Sequence, residues 1–144
     1  MPFLNRLRDW GTGAQSTKVS PARHAVLRAL ERRAGIKFRN ISLLNLALCH
    51  RSFANEVNEK LPDNNERLEF LGDAVLGLTI SAELYSKDGN RNEGDMSRIK
   101  SVVVSEDTLY RWAIRLDLSS YVLVGHGEDL SGGRGKRAIL ADAM

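Results

Sequence analysis

Residues 65–77 read NERLEFLGDAVLG, three acids set in a frame of leucine, phenylalanine and valine. At about 100° per residue, Glu66, Glu69 and Asp73 fall within roughly 60° of one another on a helical wheel. Leu68, Leu71, Val75 and Leu78 make a stripe on the opposite side, and Phe70, Gly77, Ile80 and Leu84 lie close to the acids' own face. A helix that is apolar nearly all round is normally buried, so this stretch is expected to be the most buried helix of the fold, with like charges on one face. Two carboxylates about 6 Å apart repel by roughly 3 kcal/mol at an effective dielectric near 20. Three arrangements relieve that cost. Some acids hold a proton, or a cation sits among them, or Glu66 pairs with a surface arginine while Glu69 and Asp73 face solvent. An all-oxygen donor set without cysteine or histidine favours Mg²⁺ or Mn²⁺ over zinc. Gly72 and Gly77 sit within the same helix, where glycine costs up to ~1 kcal/mol against alanine. Their place there suits the close approach of a ligand or another helix.

The chain of 144 residues is long enough for one domain with a real core. Its 27% charged and 42% hydrophobic content is that of an ordinary globular protein. No apolar run approaches the ~20 residues of a membrane span, so no membrane partner is expected. The N-terminus MPFLNRLRDWGTG has no apolar core of signal-peptide length. One cysteine, Cys49, allows no internal disulfide and no cysteine metal cluster. A reducing, cytoplasmic setting is the natural expectation. The net charge of +3 is uneven. Residues 1–37 hold eight lysines and arginines against two acids, a balance of +6, while the rest holds 13 against 16, a balance of −3. The basic segment suits phosphate contacts or is simply a solvated tail.

Residues 1–20 show no sustained period and read as a flexible basic lead, followed by one domain over 21–144. Pro21 suits the first turn of a helix, which carries Val26, Leu27 and Leu30 and stops at Gly35. ISLLNLALCHRSFANE reads as a second helix, with Ser42 as a candidate cap. VNEKLPDNN is a polar loop. The acidic stretch opens a long helix reaching about Tyr85, and SKDGNRNEGD is a loop. Residues 95–115 read as one further helix. GHGEDLSGGRGK is glycine-rich and reads as a loop, and RAILADAM starts another helix. SVVVS and SSYVLVG have strand composition, but neither supports a sheet. The expected fold class is all-α. Trp112 is expected in the core, and His50 and His126 to be structural or solvated.

Four motifs in register carry a resemblance. NERLEFLGDAVL resembles the signature motif of the ribonuclease III family, metal-dependent endonucleases that cut double-stranded RNA. LALCHRSFANE (46–56) is similar to that family's threonine-His-Arg-Ser helix, with Cys49 in place of the threonine. EGDMSRIKSVVVSEDTL (93–109) resembles the next block, and GHGEDLSGGRGKRAILADAM (125–144) resembles the glycine-rich segment and the start of the second acidic helix. The resemblance spans residues from about 22 to 144 and implies a ribonuclease III-like helical endonuclease domain.

Residue by residue, the resemblance implies a metal site at Glu69, Asp73 and Asp142. Asp73 matches the essential acid that also orients the attacking water. Glu66 and Glu93 match supporting catalytic acids. The implied cofactor is Mg²⁺, with Mn²⁺ able to substitute, and no small-molecule cofactor. Glu69, Asp73 and Asp142 are then expected to converge within a few ångströms. Phe70 matches an aromatic knob that enters a partner subunit, which implies a homodimer; the simpler reading is a core phenylalanine. Ser131, Gly132, Arg134, Lys136 and Arg137 are candidates for RNA contacts, the first two through backbone N–H groups. Lys100 and Arg98 are further candidate phosphate contacts. The family pattern places one more metal-binding glutamate three residues past Asp142, so the domain is expected to be C-terminally incomplete and without a double-stranded-RNA-binding domain. The implied activity is hydrolysis of duplex RNA, as in processing of ribosomal RNA precursors and structured transcripts, with recognition by A-form shape. Two alternatives stand beside it: an inactive ribonuclease III-like module for RNA binding or dimerisation, and an all-α nucleotide pyrophosphohydrolase, which also sets Glu-x-x-Glu on a helix.

Overall fold

The computed structural model describes residues 19–57, 64–87, 89 and 91–144. The lead over residues 1–18 and much of the loop at 58–63 lie outside the described residues, as do Asp88 and Asn90 of the second expected loop. The described residues are helical, with no strand among them, in agreement with the all-α expectation. No helix among them is long and apolar enough to cross a membrane. The chain divides into two compact units, residues 1–46 and 47–144.

In the first unit, α1 (Pro21–Ala34) begins where Ser20 accepts from the Arg23 N–H at 3.2 Å, with Pro21 at the opening turn. It ends at Gly35, whose φ of 70° is a left-handed stop suited to glycine. Glu31 is buried yet satisfied: its carboxylate accepts from the Phe38 N–H at 2.7 Å and pairs with Arg28 at 2.6 Å. Those donors hold its carboxyl below the usual range. α2 (Ile41–Ala47) is capped by Asn40, whose side chain accepts from the N–H groups of Ser42 and Leu43. The cap is therefore one residue before the helix, and not Ser42 as the sequence suggested.

In the second unit, the expected single helix over 42–56 is broken at residues 48–50. There the chain is extended, because Leu123 donates to the Leu48 carbonyl at 2.8 Å and accepts from the His50 N–H at 3.0 Å. The result is an isolated parallel bridge between Cys49 and Leu123, all that the strand-like SSYVLVG contributes among the described residues. The helix resumes as α3 (Arg51–Val57). α4 (Glu66–Lys87) is the long acidic helix, packed against α5 (Glu93–Val103). The expected helix over 95–115 is also two: Ser105 caps α6 (Glu106–Arg115), accepting from the Thr108 N–H at 3.3 Å. Ser-Glu-Asp is a start signal that interrupts the apolar period. The glycine-rich segment is not simply a loop. It holds α7 (His126–Leu130) and a 3₁₀ turn at Gly133–Gly135 before α8 (Arg137–Asp142).

α6 and α8 pack together around the core, where Leu48, Val122 and Leu140 are among the fully buried side chains. Trp112 is not in that core: it is 49% exposed, with Arg115 stacked on its ring at 4.9 Å. α4 contradicts the expectation of burial more sharply. None of its residues is buried, and Phe70, Leu78 and Tyr85 are 82%, 71% and 80% exposed. The wheel is apolar nearly all round, as read, but one chain covers only part of it.

Candidate active site

The acidic helix is seated by its first residues. Asn65, 4% exposed, donates its backbone N–H to the Cys49 carbonyl at 2.9 Å and accepts from the Glu69 N–H at 2.8 Å. The Asn64 side chain accepts from the Glu66 N–H at 3.1 Å. Glu66 and Glu69 occupy the first turn of α4, where the helix dipole favours negative charge. Asp73 follows one turn later.

α8 brings Asp142 to the same place. A cavity of about 370 Å³ is lined by Glu69, Asp73, Glu106 and Asp142, together with Asn65 and Gly72. A second, of about 460 Å³, is lined by Glu66, Glu69 and Asp142 and by His50, Glu128 and Lys136 among others. Glu69 and Asp142 thus belong to both. Burial pushes the Glu69 carboxyl up, and the charges of Asp142, Asp73 and Glu66 push it further. Asp142 is raised by burial first and then by Glu106, with Asp73 adding to the effect and His50 opposing it.

The carboxylates share a cavity but are not drawn tight. Among the described residues, no three His, Cys, Asp or Glu side chains are gathered as a metal ion requires. The expected convergence within a few ångströms is therefore reached only as far as a common cavity. The donor set itself, all carboxylate, suits a hard divalent cation. Glu66 stands 3.6 Å from Arg51 and Asp73 is exposed, so the reading of an arginine pair with solvent-facing acids holds for those two, while Glu69 is half-buried. Glu93 accepts from the Ser97 hydroxyl at 2.6 Å, is exposed, and lines neither cavity.

The candidate RNA contacts are mostly engaged within the chain. The backbone N–H groups of Ser131 and Gly132 donate to the carbonyls of Glu128 and Asp129, at 3.2 and 2.9 Å. They form the turn and do not open onto an anion. Arg134 donates to Asp129 at 2.8 Å and to the Val122 carbonyl at 2.7 Å, which makes it a staple of the segment. Arg137 pairs with Asp107 at 3.2 Å and lies over the Tyr110 ring. Lys136 bonds Glu128 at 2.6 Å but keeps its place in the second cavity. That bond holds the Glu128 carboxyl below its usual range. Lys100 lies beside Gly77 and shares a further cavity with Asp73.

Sequence reasoning missed Glu106, Asn65 and Glu128. The first two had a signal, as residues opening helices after a turn. Glu128 had none. It also undervalued His50, whose pKa is lowered by burial and which lines the second cavity.

Residues 40–144 match the family model described as Ribonuclease-III-like. Among curated relatives, Ribonuclease 3 of Treponema denticola is 49% identical over 126 residues, covering 88% of this chain and 51% of that protein. Ribonuclease 3 of Geobacillus kaustophilus is 42% identical over 127 residues, covering 88% and 52%. The chain spans about half the length of the curated relatives it matches. Among solved structures, the nuclease domain of ribonuclease III from Campylobacter jejuni is similar with a TM-score of 0.71 and 38% identity, covering 79% of this chain and 76% of that one. That structure is described as showing flexibility in a region involved in dimer formation.

Proposed function

The chain belongs to the ribonuclease-III-like family, and from that premise we propose that it hydrolyses phosphodiester bonds of double-stranded RNA with a divalent cation held by Glu69, Asp73 and Asp142. The observation that carries this reading is the common cavity lined by those three carboxylates, which come from two helices far apart in sequence. A divalent cation there supplies Lewis acidity toward water and the phosphoryl oxygens, with Mg²⁺ the natural ion and Mn²⁺ a substitute. The chain's own residues do the rest. Asn65 fixes the start of α4 and hence the angle of Glu69. Asp73, one turn on, orients the attacking water by accepting its hydrogen bond. Glu66 and Glu93 are supporting acids in this scheme, Glu66 held near Arg51 at the edge of the second cavity.

The substrate class follows from charge and shape. Lys100, which shares a cavity with Asp73, offers a cation to a backbone phosphate, and Lys136 in the second cavity does so on leaving Glu128. A duplex has two strands, and a two-fold homodimer with one such site per subunit would cut both. The exposed apolar face of α4, with Phe70 at its N-terminal end, supports that assembly. The setting is the cytoplasm, and the role is processing of ribosomal RNA precursors and other structured transcripts. The pyrophosphohydrolase alternative has no observation to favour it once the family is known.

The test is cleavage of an end-labelled RNA duplex and of its separated strands, with Mg²⁺ and with EDTA. Cutting of the duplex alone, and only with Mg²⁺, is the expected result. Cutting with EDTA present, or of single strands equally well, contradicts the proposal.

A further inference from the structure

His50 lines the second cavity together with Glu66, Glu69 and Asp142, and its two ring nitrogens are not equivalent. The Ser52 backbone N–H donates to Nδ1 at 3.2 Å. The Ser52 hydroxyl oxygen stands 2.8 Å from the same nitrogen. That oxygen accepts the Gly125 N–H at 2.8 Å through one lone pair, and its hydroxyl hydrogen can turn to the Nδ1 that the Ser52 N–H already marks as an acceptor. Two donors therefore converge on Nδ1, so Nδ1 is the acceptor and the ring proton resides on Nε2. A second proton on Nδ1 would face the Ser52 N–H, and burial lowers the ring's pKa, so both favour the neutral form. Turning the ring over would set a C–H against them, so its orientation is fixed too. The backbone clamps the residue from both sides. Its N–H donates to the Leu123 carbonyl at 3.0 Å, and its carbonyl accepts from Phe53 and Ala54 at 3.0 and 3.3 Å. Among the described residues, Nε2 has no hydrogen-bond acceptor.

The cavity thus receives a rigid, uncharged N–H donor beside the acids. An uncharged donor suits this place. It binds a phosphate oxygen without repelling a cation on Glu69 and Asp142, as an imidazolium would. Lys136 and Arg51 line the same cavity, but each already has a carboxylate within 4 Å, at 2.6 Å from Glu128 and 3.6 Å from Glu66.

We propose that His50 is a strand-positioning residue, its Nε2–H donating to a non-bridging oxygen of the RNA backbone phosphate next to the one at Glu69 and Asp142. The assignment rests on the nuclease reading above. The test is binding of a fluorescent RNA duplex to the chain in EDTA, where protein donors alone hold the strand, over a range of salt. His50→Asn keeps an oxygen that accepts the Ser52 N–H two residues on, and it removes the cavity donor. His50→Gln sets an amide N–H near the position of Nε2. The expected result is a roughly tenfold weaker Kd for His50→Asn, the loss of one hydrogen bond to a charged group. The dependence on salt should not change, because the lost donor is neutral. The melting temperature of His50→Asn should match the parent, and His50→Gln should recover part of the affinity. Parental affinity in His50→Asn overturns the assignment. So does a salt slope reduced by about one, which would mean a charged contact. Equal losses in both variants alongside a lowered melting temperature would make His50 merely structural. A parent chain that ignores the duplex at every salt concentration overturns the nuclease reading itself, and the assignment with it.

Discussion

The backbone N–H of Gly125 donates to the Ser52 hydroxyl at 2.8 Å, joining residues 73 positions apart. One turn further along α3, Glu56 accepts from the His126 N–H at 2.8 Å. Through these two bonds the His-Arg-Ser helix carries the start of the glycine-rich segment, which in turn leads into α8 and Asp142. The geometry around Asp142 therefore depends on Ser52, at the wall of the second cavity, and on Glu56, which lines neither cavity.

Ser52→Ala removes the acceptor of the Gly125 N–H, at a residue that is buried. An unsatisfied buried donor costs about 1–3 kcal/mol. Urea unfolding should show a loss of that size. A midpoint within error of the parent would mean that water replaces the hydroxyl and that the link carries no weight.

Gly125 is also fixed by space. A Cβ there would stand 2.7 Å from the Ser52 carbonyl and 2.5 Å from the Glu56 carboxylate. The carboxylate can move, but the carbonyl belongs to α3. Gly125→Ala should destabilise by about 1–3 kcal/mol through overpacking. A neutral effect would show that the segment shifts freely, which the two hydrogen bonds deny.

These links explain what was legible in the sequence and what was not. The long helix opening at Glu66 was readable because the acids and apolar residues repeat on a helical period. The start and stop of α1 were readable because Pro21 and Gly35 are chemical punctuation. The breaks at residues 48–50 and at Ser105 were not read. The first arises from pairing with Leu123, a contact no local pattern encodes. The second had a local signal, Ser-Glu-Asp, masked by the apolar run SVVV before it. Burial of α4 was misjudged for a different reason. Periodicity tells which faces are apolar, but not whether this chain or another molecule covers them. The internal engagement of Arg134 and Arg137 was equally invisible, because a basic residue near glycines looks the same whether it meets phosphate or its own Asp129 and Asp107.

Leu140 is fully buried on α8, two residues before Asp142. Leu140→Ala should cost about 2–5 kcal/mol, the transfer and cavity terms together. Chemical denaturation measures it. A loss below 1 kcal/mol would show that α8 is not fixed by the core and cannot hold Asp142 in place.

The acids make stability depend on pH in a direction that can be worked out. Burial and neighbouring charge raise the Glu69 carboxyl above its ordinary 4.5. Between that value and the raised one, the folded chain keeps a proton that the unfolded chain has lost. Stability therefore falls as pH rises through this window. Glu69→Gln should melt higher than the parent at neutral pH in EDTA, and the difference should close below the ordinary carboxylate range. Added Mn²⁺ should raise the melting temperature of the parent and leave the variant nearly unchanged. A Glu69→Gln chain that melts lower than the parent at pH 7 in EDTA would contradict the repulsion described here.

The measurement that bears most directly on the site is Mn²⁺ binding, followed by loss of the free-ion electron paramagnetic resonance signal, in the parent, Glu69→Gln, Asp142→Asn and the double variant. If the two carboxylates hold one ion, each single change should weaken binding by tenfold or more. The double variant should then bind much more tightly than the product of the two losses would give, because the second change removes a ligand from a site already broken. If the two losses simply multiply, or if the parent binds no better than the double variant, then Glu69 and Asp142 do not share a cation and the proposed metal centre is wrong.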